Sequence, residues 1–106
     1  MGINRYMGNS DGGGVVVEYS EIIVWRIKSL CGKRGITYNK LASISGLKQS
    51  TVDNIVRGLT KNPRIMTLHK IANGLNMTIS EFLDFKEMND VSFENDLNDD
   101  EDPNAI

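Results

Sequence analysis

The sequence predicts an all-α protein: a compact five-helix domain over residues 20–85, a flexible leader over residues 1–19, and an acidic, unstructured tail over residues 86–106. Three observations predict it. Apolar residues take up helical spacing from Ser20 onward. One local device, a Thr preceded by an apolar residue and followed by another four positions later, marks three helix starts. Charge divides by position: Ser20–Leu83 holds ten bases against three acids, a net of +7, whereas Asp84–Ile106 holds nine acids and only Lys86, a net of −8. With −1 from the first nineteen residues, these give the formal −2 of the 106-residue chain. That length suits one domain.

Met1–Gly14 is rich in Gly, Asn and Asp, offers little to bury, and reads as a mobile leader. Val15, Val16 and Val17 have strand character but no visible partner strand. The first helix follows, with Ile23, Ile27 and Leu30 at i, i+4 and i+7 and with Gly32 and Gly35 closing it. Ile36-Thr37 with Leu41 opens the second helix, Met66-Thr67 with Ile71 the fourth, and Met77-Thr78 with Phe82 the fifth, each as a cap with a hydrophobic staple. Glu81, three residues after Thr78, completes a capping box. The third helix runs from Gln49 to about Gly58, after the break Ser45-Gly46-Leu47-Lys48. In the tail, Phe85, Met88, Val91, Phe93 and Leu97 are scattered among acids without clean helical or strand spacing.

Composition excludes several kinds of chemistry. No apolar run approaches the ~20 residues of a membrane span, and none near the start has signal-peptide flanks, so a cytoplasmic protein without a membrane partner is expected. One cysteine, Cys31, and one histidine, His69, provide neither a disulfide, a metal cluster nor a nucleophile–base pair. No Gly-rich phosphate loop is present. The expectation is therefore a non-enzymatic protein without metal or cofactor. Cys31 reads as a small packing residue near Val56, His69 as incidental, and Trp25, off the first helix's apolar stripe, as either a surface residue or part of a partner interface.

The second and third helices carry the functional signal. Ala42, Gly46, Val52 and Ile55 are spaced as a tight two-helix corner requires: a small residue for close approach, a glycine for a turn at positive φ, and two apolar residues that pack the third helix back. At 100° per residue, Val52, Ile55, Val56 and Leu59 occupy an arc of roughly 100°, with Ser50, Asp53, Asn54 and Arg57 opposite.

This constellation resembles the Cro/cI-type, lambda-repressor-like helix-turn-helix family, also called the xenobiotic-response-element family. The resemblance spans about 60 residues and includes Arg26-Ile27-Lys28, Arg34-Gly35-Ile36-Thr37, Leu41-Ala42, Ser45-Gly46-Leu47, Ser50-Thr51-Val52, Ile55, Gly58, Pro63, Thr67-Leu68, Lys70-Ile71-Ala72, Leu75 and Glu81-Phe82. Two positions depart from the family pattern. Tyr38 stands where a phosphate-contacting Gln is usual, and Lys48 stands at the cap of the third helix, where Ser, Thr or Asp is frequent.

The resemblance implies a sequence-specific transcriptional regulator, a repressor that binds a palindromic operator in double-stranded DNA as a homodimer through its third helix. Lys48, Gln49, Ser50, Thr51, Asp53 and Asn54 are the candidates for base contacts; Gln49 and Asn54 suit adenine, Lys48 guanine and Asp53 cytosine. Tyr38, Asn39, Arg57, Lys61, Asn62 and Arg64 are the candidates for phosphate contacts, and Leu83 and Phe85 for the dimer. The plain alternative for the polar arc is a solvated face. The tail is either a solubilising segment, a competitor for the basic face, or the docking element for a protein partner. In that last case the chain would be an interaction module such as the antitoxin of a toxin–antitoxin pair.

Overall fold

A computed structural model describes residues 19–93. Within that span the chain forms six helices: α1 (Tyr19–Arg34), α2 (Tyr38–Ser45), α3 (Gln49–Val56), α4 (Ile65–Gly74), α5 (Ile79–Leu83) and α6 (Lys86–Asn89). The leader up to Glu18, with its valine run, and the acids from Glu94 onward lie outside the described residues.

The apolar stripes converge on one core. Ile23, Ile27, Leu30 and Cys31 of α1 meet Leu41 and Ala42 of α2, Val52, Ile55 and Val56 of α3, Leu68, Ile71 and Ala72 of α4, then Leu75 and Phe82. Ile27, Leu41, Val52, Ile71, Ala72 and Phe82 are wholly inaccessible to solvent. At about 25 cal/mol per Å² of apolar surface, each such large side chain contributes roughly 1.5–3 kcal/mol.

Two of the expected Thr caps form. Thr37 Oγ1 accepts from the Lys40 amide at 3.0 Å, and Ile36 packs against the core while Leu41 lies inside it, as a staple requires. Thr78 Oγ1 accepts from the Glu81 amide at 3.0 Å, and Glu81 Oε1 accepts from the Thr78 amide at 2.8 Å, closing the capping box. The third does not form. α4 begins three residues early, with Arg64 in extended conformation at its N-cap (φ −70°, ψ 145°) and no side-chain cap bond. The Leu68 amide already bonds the Arg64 carbonyl, which places Thr67 inside the first turn. Met66 is 65% exposed and does not staple Ile71.

Other boundaries also move. α1 continues through Gly32 and ends at Arg34. α3 stops at Val56, because Arg57 is its C-cap and Gly58 reverses the chain at φ 78°. Leu59, expected on the apolar arc, is therefore carried off the helix and stands 62% exposed.

The fold also continues past residue 85. α6 packs on α1, Met88 lies against the core, the Tyr19 hydroxyl donates to Met88 Sδ at 3.3 Å, and the Phe93 ring lies 5.8 Å from that of Tyr19. Arg26 fastens this end. Its Nε and Nη2 donate to the carbonyls of Phe82 and Glu81, both at 2.8 Å, and its guanidinium sits 4.7 Å from the centre of the Phe85 ring. Burial lowers its pKa, opposed by the negative charges of Asp84 and Glu87. Phe85 is thus buried, with Trp25 beside it at 6.1 Å, and is an internal residue where a dimer contact was expected. Trp25 is half-buried for the same reason.

Candidate nucleic-acid interface

The corner between α2 and α3 is made by Gly46, at φ 69° and ψ 33°, a left-handed conformation that a Cβ would disfavour. The Gly46 and Leu47 amides bond back to the Ser43 and Ala42 carbonyls, at 3.3 and 2.9 Å, closing the end of α2. Lys48 then extends the chain for one residue before α3 starts. Ala42, 3% exposed, lets the helices approach, and Val52 and Ile55 fix the rotation of α3 about its own axis. The opposite side of α3 consequently faces outward: Gln49, Ser50 and Asn54 are exposed, with Thr51 and Asp53 at the half-buried margins.

Helix starts divide into two kinds. α2 and α5 are closed by threonine side chains, whereas α3 and α4 begin at Lys48 and Arg64 without a side-chain cap. A cationic side chain cannot accept a hydrogen bond, so the first amides of α3 and α4 keep their donors and the partial positive charge of a helix N-terminus. Helix starts of this kind, each preceded by an exposed cationic side chain, are suited to anions.

The loop from Arg57 to Arg64 is anchored to α3 by one residue. The Asn54 carbonyl accepts from the amides of Leu59 at 2.9 Å and Thr60 at 3.2 Å, while the Asn54 side chain stays exposed. A shallow cleft follows, lined by Thr51, Asn54, Ile55, Thr60, Asn62, Pro63, Arg64 and Thr67. It brings together four of the predicted residues: Thr51 and Asn54 of the base set, and Asn62 and Arg64 of the phosphate set. Lys48, Gln49 and Ser50 sit at the start of α3 and outside this cleft; Arg57 and Lys61 are exposed on the loop. Tyr38 and Asn39 open α2. Asn39 is exposed, but Tyr38 is half-buried against the core, and burial raises its phenol pKa. Thr60 and Thr67 are additions to the predicted set. The hydroxyl pair flanking Lys61-Asn62-Pro63-Arg64 was visible in sequence, but assigning Thr67 to a cap hid it.

Two of the ten bases bridge helix ends. Arg26 binds the end of α5, and Arg34 Nη1 donates to the Leu75 carbonyl at the end of α4. The remaining eight, Lys28, Lys33, Lys40, Lys48, Arg57, Lys61, Arg64 and Lys70, are all exposed. Leu59, Ile65 and Met66, each more than 60% exposed, flank the same loop. Among the described residues no helix is long and apolar enough to cross a membrane.

The chain matches known proteins over this region. The family of Cro/C1-type helix-turn-helix DNA-binding domains matches over residues 26–87. Among solved structures, the prophage Lp1 protein 11 is similar with a TM-score of 0.64 and 30% identity, over 72% of this chain and 100% of that one. An HTH_3 family transcriptional regulator from Vibrio cholerae is similar with a TM-score of 0.57 and 32% identity, over 76% of this chain. The match spans 46% of that regulator's own length. No match was found among curated proteins.

Proposed function

Because the chain belongs to the family of Cro/C1-type helix-turn-helix DNA-binding domains, we propose that it is a sequence-specific repressor that binds a palindromic operator as a homodimer, inserting α3 in the major groove. The observation that carries this reading is α3 itself, whose apolar side is sealed in the core while Gln49, Ser50 and Asn54 stand exposed beside an uncapped, lysine-flanked N-terminus. In such docking the first residues of the helix reach base edges. Asn54 has the amide that pairs with adenine N6 and N7, Gln49 has the same chemistry at the first residue of the helix, and Lys48 suits guanine O6/N7. Arg57, Lys61, Asn62 and Arg64 hold phosphates on the loop, and the free amides at the start of α4 supplement them.

One recognition helix reads few base pairs, so a second copy about one helical turn away supplies the rest of the specificity. The contact between copies is assigned to Ile65 and Met66, the exposed apolar pair at the start of α4. Regulation is then occupancy of a promoter, with no bond made or broken in the DNA.

Two substitutions test the assignment. Asn54→Ala is expected to relax preference at one base position, at a cost of about 1–3 kcal/mol on the preferred sequence. Arg57→Ala is expected to weaken binding to every sequence and to reduce the salt slope by about one. Duplex-binding titrations across a salt series read both. If both variants bind as the unmodified chain does, α3 is not the reading helix.

A further inference from the structure

The described chain ends at Phe93, whose ring rests on Tyr19 at the start of α1. Beyond it come Glu94, Asp96, Asp99, Asp100, Glu101 and Asp102, six acids in nine residues with no base among them. The domain from which this segment leaves presents eight exposed bases. Among the same described residues Glu81, Asp84 and Asp90 are exposed, with Asp90 paired to Lys86, and Glu21, Asp53 and Glu87 are half-buried. The two parts are covalently joined, and a covalent link of a few residues can raise the effective concentration of one partner at the other to the order of millimolar.

The segment is long enough to reach the basic surface. An extended chain advances ~3.3 Å per residue, so Asp99–Asp102 can lie roughly 20–30 Å from Phe93, about the diameter of a compact domain of this size. Arg64 lines the cleft together with Thr51 and Asn54 of α3, and the exposed Lys48 and Arg57 stand three residues before Thr51 and three after Asn54, at the two ends of α3.

We propose that the acidic run Asp96–Asp102 docks on the surface formed by Lys48, Arg57 and Arg64 of its own domain and competes with DNA for it. The docking stands on charge and reach alone; only the competition rests on the DNA-binding reading. If the tail occupies this surface in two-thirds of the molecules, the apparent dissociation constant for DNA rises about threefold. The effect shrinks as salt screens the contact.

The test keeps the full chain and substitutes Asp99→Asn, Asp100→Asn, Glu101→Gln and Asp102→Asn together. Amide proton–nitrogen correlation spectra are compared with those of the unmodified chain, and both proteins are titrated with a random-sequence duplex. The expected result is amide shift changes at residues 48–57 and at Lys61, Asn62 and Arg64, independent of protein concentration, with DNA binding about threefold tighter at low salt. Tighter DNA binding without shifts at those amides overturns the proposal, because neutralised acids then act only through long-range repulsion. Shifts that grow with protein concentration overturn it in favour of contact between two chains. Shifts at those amides in a chain that binds no duplex uphold the docking and reject the DNA-binding reading.

Discussion

Gly46, Gly74 and Ser45 meet at the end of α2, and each fixes a different consequence of substitution. A Cβ on Gly46 would have nothing within 4 Å, so Gly46→Ala meets only the left-handed backbone, at a cost of about 1–2 kcal/mol. A Cβ on Gly74 would stand 2.6 Å from Ser45 Oγ and 2.9 Å from the Ile44 carbonyl oxygen, so Gly74→Ala pushes α4 off α2 and costs about 2–3 kcal/mol. Ser45 Oγ is buried without a hydrogen-bond partner, so Ser45→Ala is expected to be neutral or stabilising by up to about 1 kcal/mol. Urea midpoints should therefore fall in the order Ser45→Ala, unmodified, Gly46→Ala, Gly74→Ala. Cys31 adds a pH effect: burial pushes its thiol pKa up, with Arg34 opposing. In the unfolded chain the thiol ionises near its ordinary value, about 8.5, while the folded chain still holds the proton. Stability is thus level below that pH and falls above it. Cys31→Ala should flatten the fall in urea midpoint between pH 8 and 10; an unchanged slope would place its cause elsewhere.

At the scale of the helix, what was legible in the sequence and what was not have the same cause. The caps at Thr37 and Thr78 and the turn at Gly46 are local chemistry, a hydroxyl or a missing Cβ acting within a few residues, and they formed where the sequence placed them. Thr67 carries the same pattern, but Pro63 and Arg64 already extend the chain and start α4 three residues sooner. α6 was illegible for the opposite reason, since its four residues have no periodicity to read and are held by contacts with Tyr19 and Arg26, far away in the chain. Of the candidate site, the outward face of α3 followed from its apolar side. The cleft beside it did not, because the loop is fixed by backbone bonds to the Asn54 carbonyl. The uncapped start of α3 yields a prediction at this scale. Lys48 already has the extended geometry of a cap, so Lys48→Ser should stabilise the fold by about 1 kcal/mol while weakening duplex binding, as thermal unfolding and titration would show. A loss of stability would mean that Lys48 supports the fold.

For the whole molecule, the formal charge of −2 describes neither end of the chain. Arg26 and Arg34 hold helix ends together, eight other bases stand exposed on the domain, and the acids gather after Leu83. A domain so charged attracts duplex DNA of any sequence through its phosphates; the proposed sequence preference is assigned to α3. Selection of bound duplexes from a random pool by the full chain separates these two contributions most directly. Enrichment of a palindromic consensus whose half-sites lie about one helical turn apart, lost at one position with Asn54→Ala, is the predicted result. Retention of DNA without any enriched sequence would contradict it.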